Sequence, residues 1–222
     1  MDDATRWDLI HQKNYQEDES HSVYAEEKEK LFPRNCLLVD LGGGTGNDAL
    51  YFLQKGHSVV LLDVSPFALK VAQDKSNTHN LGNKLITRQV DFGLHLFPVK
   101  DNSVDIAYSR IALNYFGSKH TTKIFADIYK MLKVGGVAYL TFKSPDDEAE
   151  FEYLQKTGTV YEPNVFIDNG ILRSRFTVVQ LKTMLTGGGI ANFEVNPYLE
   201  KVGEKKEEHN PVLHLNEVII KK

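Results

Sequence analysis

The sequence predicts an α/β fold: a doubly wound, mostly parallel seven-stranded sheet with helices on both faces. Three observations predict it. Between residues 36 and 142, short apolar runs of strand length alternate with segments at helical spacing, the pattern of parallel strands joined by crossover helices. The runs are continuously apolar, as strands covered on both faces must be. A glycine cluster, Gly42-Gly43-Gly44-Thr45-Gly46, stands where the first run gives way to the first core helix.

Residues 1–34 are charged, with scattered apolar positions at Leu9, Ile10, Val23, Tyr24, Leu31 and Phe32, which suits one or two amphipathic helices ended by Pro33. Residues 36–41 form the first buried strand and residues 47–55 a helix stopped by Gly56. Residues 58–63 give the second strand, and Ser65-Pro66 opens the next helix with an N-cap and a first-turn proline. Residues 86–91, 103–108 and 136–142 give the third, fourth and fifth strands, with a helix over 122–132 closed by Gly135-Gly136. Beyond residue 143 the pattern is less regular: a helix over 147–156, then a hairpin turn at Asp168-Asn169-Gly170. Thr177 caps a helix over 178–185 that ends in three glycines, and strands over 193–199 and 212–220 are joined by a charged, solvated loop over 200–210.

The 222 residues read as one domain, since a chain of this size buries roughly 70% of its unfolded surface without staples. The expected parts are a helical cap at 1–34, a cofactor-binding core at 35–142, a substrate lid at 143–176 and a C-terminal helix with strands at 177–222. Composition excludes several classes. With 41% hydrophobic and 25% charged residues the chain is neither disordered nor membrane-embedded. Its 26 basic against 30 acidic residues argue against nucleic acid as the main partner. The single Cys36 cannot form an internal disulfide, and the acidic start lacks a secretory pattern, so the expected compartment is cytoplasmic.

The glycine cluster carries the chemistry. Glycines at a strand-to-helix turn let backbone N–H groups approach a ligand that a Cβ would block, and the following helix turns its positive end toward an anion. The spacing narrows the ligand. A dinucleotide fingerprint counted from Gly42 needs its third glycine at position 47, which is Asn47; the third glycine falls at Gly46 instead, preceded by Asp40. Asp63 closes the second strand 21 positions after Gly42, and Asp91-Phe92 closes the third.

This ordered set resembles class I S-adenosylmethionine-dependent methyltransferases from about Leu37 onward, including residues 101–107 before the fourth strand and 128–136 before the fifth. Trp7-Asp8 near the start and Phe176-Thr177-Val178 make it most similar to small-molecule enzymes of the tellurite-resistance and ubiquinone-biosynthesis kind. The resemblance implies a Rossmann-like methyltransferase fold whose last strand is antiparallel, with S-adenosyl-L-methionine as cofactor. It implies that Gly42, Gly43, Gly44 and Gly46 pass the methionyl portion and that Asp40 pairs with its amino group. Asp63, beside Val64, holds the ribose, and Asp91 with Phe92 holds the adenine. Ser109 and Tyr15 complete the expected cofactor set. Substrate-side candidates are Trp7, Arg110, Asn114, Tyr115 and His214.

No metal site and no general base is assigned: His95, His120, His11, His209 and His214 all lie outside the motifs. Asn114 is followed by Tyr115-Phe116, not by the prolines of nucleic-acid amino methylation, so the expected substrate is a small molecule. Two other readings remain open here: an NAD(P)-dependent oxidoreductase, and a catalytically inactive S-adenosylmethionine-binding regulatory protein.

Overall fold

The computed structural model describes residues 2–94, 97–201 and 212–222, so the sequence candidates His95 and His209 lie outside the described residues. Strands β1 (Leu37–Leu41), β2 (Ser58–Asp63), β3 (Leu85–Gln89), β4 (Val104–Arg110) and β5 (Leu132–Lys143) run parallel, in the order β3-β2-β1-β4-β5. Strand β10 (Val212–Lys221) adds antiparallel to β5, and β9 (Phe193–Lys201) adds antiparallel to β10, completing seven strands.

Alternate side chains of one strand feed two cores, the reason β1 reads as a continuous apolar run. Leu38 packs with the helices α2 (Val23–Glu29), α3 (Asn47–Gln54) and α4 (Pro66–Thr78) on one face. Val39 and Leu41 pack on the other face, with α5 (Ser118–Met131) and α7 (Val178–Gly187). Each fully buried apolar side chain contributes roughly 1.5–3 kcal/mol, so a register slip in β1 would forfeit both cores.

Several element boundaries differ from the sequence reading. Strand β3 stops at Gln89, so Asp91 stands two residues past the strand instead of closing it. The Gly135-Gly136 pair does not end α5; it lies inside β5, where the β4 pairing jumps from Leu132 to Val137 and Gly135 takes φ +83. Glu200 and Lys201 belong to β9 and not to the charged loop. Residues 143–176 are more ordered than an irregular connection. They form α6 (Glu148–Thr157) and a separate three-stranded antiparallel sheet of β6 (Thr159–Glu162), β7 (Val165–Asp168) and β8 (Ile171–Ser174). Sequence reading missed β6, a short strand with exposed side chains that carries no buried-face signal.

The N-terminal cap is two helices, α1 (Asp3–Asn14) and α2. Asp2 and Ser22 cap them, each accepting a backbone N–H three residues on. None of the α1 residues is buried, so its position over the sheet rests on a few specific contacts described below.

Candidate cofactor and acceptor site

The glycine turn is built by the protein's own packing. Gly42 (φ +71) would overlap Ala112 if it carried a Cβ, and a Cβ at Gly46 (φ +79) would fall 2.6 Å from that of Ala72 on α4. The glycines thus let the turn lie flat against α4 and the β4–α5 connection, where sequence reasoning assigned them to ligand approach. Gly44 (φ +55) faces a different neighbour, the His11 ring of α1, 3.1 Å from a Cβ placed there. Gly46 is also the N-cap of α3, with no side chain capping it.

Two cavities open around this turn. The smaller, about 210 Å³, is lined by Asp63, Val64, Asp91 and Phe92 from the ends of β2 and β3, and by Trp7 and Tyr115. Asp63 is buried and already accepts two backbone donors: Gly44 N–H on Oδ2 at 2.9 Å and Ser65 N–H on Oδ1 at 2.9 Å. It therefore ties the glycine turn to the start of α4. Asp91 accepts the Gly93 N–H at 2.7 Å, and Trp7 meets Tyr115 edge-on at 4.6 Å between ring centroids.

The larger cavity, about 640 Å³, is lined by Asp40, the glycine turn, Asp48, Tyr108, Arg110 and Glu200, among others. Asp40 is 2% exposed, and its Oδ2 has no hydrogen-bond partner among the described residues. Burial, with the nearby Asp48 and Asp63 carboxylates, holds its pKa well above the ordinary 3.8. Asp48, in the first turn of α3, is by contrast well served: Tyr108 OH donates at 2.7 Å, Ser22 N–H at 2.7 Å and Ser22 Oγ at 2.9 Å. Asp48, Tyr108 and the cavity-lining His11 were not placed at the site by sequence reasoning. Only the acid in the first turn after the glycines gave a signal, and first-turn acids are common without a ligand.

The chain leaves β4 through an unusual turn. Ile111, a β-branched residue, takes φ +56, a conformation held by its N–H to Thr141 Oγ1 (3.1 Å) and by Asn114 Nδ2 to its carbonyl (2.7 Å). Asn114 also accepts the Lys143 N–H through Oδ1 at 2.8 Å, so its amide fastens the turn and lines neither cavity. Arg110 lines both, and its Nε donates to the two oxygens of Glu200 at 3.0 and 2.9 Å. The small sheet packs on this turn: Ser174 N–H donates to the Asn114 carbonyl at 2.9 Å and the Arg173 guanidinium lies 5.8 Å over the Tyr115 ring. Glu162 of β6 accepts the Ser118 N–H at the start of α5 and, at 3.0 Å, its hydroxyl.

Five candidates fall outside the two cavities: Asn114, as above, Gly46, and the three that follow. Ser109 is buried and donates to the Leu41 carbonyl at 2.8 Å, joining β4 to β1. Tyr15 ends α1 against Phe67, beside a separate shallow cavity that Thr45 and Asn47 also line. His214 lies within β10, opposite Leu199 of β9. Among the described residues no group of three or more His, Cys, Asp or Glu side chains stands ready to hold a metal ion, and no helix is long and apolar enough to cross a membrane.

Residues 38–136 match the methyltransferase-domain family, a span from β1 into β5 that contains the glycine turn. The match takes in a little under half of the chain and makes this stretch similar to methyltransferase domains. The chain is 24% identical over 136 residues to the malonyl-[acyl-carrier protein] O-methyltransferase of Pectobacterium atrosepticum, covering 61% of this chain and 50% of that one. It is 30% identical over 119 residues to the arsenite methyltransferase of Rattus norvegicus, covering 48% and 31%. The chain thus spans half or less of the length of these curated relatives. A SAM-dependent methyltransferase from Methanosarcina mazei shares the fold at a TM-score of 0.70 and 18% identity, over 87% of this chain and 95% of that one.

The cofactor to test against these residues is S-adenosylmethionine, the one the sequence resemblance implies. The residues present fit it: the orphaned, buried Oδ2 of Asp40 is an acceptor waiting for a donor, beside a turn whose helix end favours a carboxylate.

Proposed function

We propose that this chain transfers a methyl group from S-adenosylmethionine to a small-molecule acceptor. The observation that carries the reading is the pair of cavities sharing Gly42, His11 and Arg110 as common walls, so a ligand laid along the glycine turn reaches into both. Asp40 takes the cofactor's amino group, whose positive charge draws the buried carboxyl into its ionised form. Asp63 and Val64 hold the ribose, and Asp91 with Phe92 holds the adenine; Asp63 then accepts ribose hydroxyls while keeping the turn in place.

The bound cofactor supplies a methyl group already activated on a sulfonium, transferred by in-line displacement. The protein's task is alignment, which in well-oriented reactions supplies roughly 7–11 kcal/mol of the barrier. Helix α1 and residues 143–176 exclude water. Trp7 and Tyr115 lie where the two meet, with Arg173 of β8 against the Tyr115 ring. The acceptors in the relatives' names, a malonyl group on a carrier protein and arsenite, differ from each other, so the acceptor must be sought on this chain's own residues.

The test compares S-adenosylhomocysteine with NADH in a thermal-shift titration, then follows methyl transfer to a panel of small acceptors. Stabilisation by S-adenosylhomocysteine alone and turnover on a small acceptor support the reading. Stabilisation by NADH alone, or cofactor binding with no transfer across the panel, overturns it.

A further inference from the structure

Arg110 is held at the junction of the two cavities in a way that leaves most of its donors unused. Its Nε serves both oxygens of Glu200, a carboxylate 1% exposed that also accepts the Tyr24 N–H at 3.4 Å. Neither Nη makes a hydrogen bond to any described residue, and the side chain is 25% exposed. A guanidinium gripped through Nε keeps four N–H groups in a rigid plane, the arrangement that matches a carboxylate or phosphate. The grip matters: a buried carboxylate fixes the arm and leaves the fork nothing to do within the chain.

The acids facing the larger cavity do not compete for that fork. Asp48 is occupied by Tyr108 and Ser22, and Asp18 accepts Ser20 N–H and Oγ. Asp40, the acid with an orphan oxygen, is assigned to the cofactor's amino group. A second cation, Lys201, follows Glu200 into the same cavity and pairs with no described acid. Glu200 and Lys201 come from β9, at the opposite edge of the sheet from β2 and β3, whose ends carry the ribose and adenine acids. Arg110 itself stands on β4 between those edges and lines both cavities, with Lys201 beside it in the larger one.

We propose, resting on the methyltransferase reading, that Arg110 binds an anionic oxygen group, carboxylate or phosphate, of the methyl acceptor, with Glu200 as its positioning residue and Lys201 adding charge.

The experiment uses the whole chain saturated with S-adenosylhomocysteine and titrates it with succinate, inorganic phosphate and the neutral succinamide, read by calorimetry. At least one anion is expected to bind and succinamide is not; succinate alone points to a carboxylate acceptor, phosphate alone to a phosphorylated one. Arg110→Gln is expected to weaken anion binding by about tenfold or more, with S-adenosylhomocysteine affinity changed by less than about twofold. Arg110→Lys, which keeps the charge and loses the fork, should fall between. Equal binding of succinamide, no binding of either anion to the saturated protein, or an anion affinity untouched by Arg110→Gln would sink the proposal. So would a parallel loss of S-adenosylhomocysteine affinity, which would assign Arg110 to the cofactor. Should Arg110→Gln not fold, Arg110→Lys and the contrast between acid and amide on the native chain decide. Failure of S-adenosylhomocysteine to bind the native chain overturns the methyltransferase reading itself, a distinct result.

Discussion

Asp8 of α1 caps a helix other than its own: its Oδ1 accepts the Phe67 N–H in the first turn of α4 at 2.7 Å, and the Ser65 hydroxyl at 2.7 Å. Helix α1 buries none of its residues, so this contact is one of the few that hold it, with Trp7 against Tyr115 and Tyr15 against Phe67. The Phe67 N–H, then the Ser65 hydroxyl, hold the Asp8 carboxyl below the ordinary 3.8. A depressed carboxyl contributes stability that is present above its ordinary value and lost as the pH falls through its folded value. Trp7, the single tryptophan, sits beside Asp8 against Tyr115 and reports on docking. Its fluorescence should hold steady above the ordinary carboxylate range and change on acidification below it. Asp8→Ala should abolish that acid step, cost about 0.5–2 kcal/mol and speed amide exchange in α1. An acid step of unchanged midpoint in the variant would refute this.

Asp40 should act in opposite senses on folding and on binding. Its raised pKa means that ionisation costs the unliganded fold stability as the pH climbs from 3.8 toward the folded value. Asp40→Asn should therefore raise the melting temperature at pH 8, by about 1 kcal/mol or more in stability, with the gain shrinking toward pH 4. The same variant should bind S-adenosylhomocysteine at least about tenfold more weakly, since an amide offers the ammonium no charge. Melting curves across pH and a calorimetric titration check both; a variant less stable at pH 8 counts against the assignment.

At Gly46 the left-handed backbone and the neighbour combine. Gly46→Ala should destabilise the fold by about 1–2 kcal/mol for the φ of +79 alone, plus the overlap with Ala72 Cβ at 2.6 Å. Ala72→Gly in the same chain relieves the overlap and not the dihedral, so the double variant should lose less than the sum of the singles. Urea denaturation of the four chains measures that coupling, and strict additivity would show that the contact is not what Gly46 is needed for.

Asp63 has a structural task before any cofactor arrives. Asp63→Ala strands the Gly44 and Ser65 N–H groups, and should cost about 1.5–3 kcal/mol for each charged hydrogen bond lost. S-Adenosylhomocysteine binding should weaken further than the stability loss explains. Asp63→Asn, which can still accept through one oxygen, should fall between. Equal affinity in the native chain and Asp63→Ala would remove the ribose role while leaving the structural one.

Much of the sheet was legible because β1, β2 and β4 are buried on both faces, and burial on both faces writes an unbroken apolar run. Strand β6 was not, since Thr-Val-Tyr-Glu with exposed side chains reads like any surface segment. At the site, Asp40, the glycines, Asp63 and Asp91 were legible from spacing, because local turn geometry fixes their order along the chain. Their partners were not: Asn114, read as facing substrate, spends its amide on Ile111 and Lys143.

The sequence by itself determined the alternation of strands and helices, the turn after β1 and the acids near the ends of β1, β2 and β3, because these depend on residues close together in the chain. Only the tertiary structure decided that Gly42 and Gly46 make room for Ala112 and Ala72, that Asp8 anchors α1 on α4, and that Arg110 meets a carboxylate 90 residues away. Those are contacts between elements brought together by burying two apolar faces of one sheet, and no local pattern encodes which distant side chain will arrive.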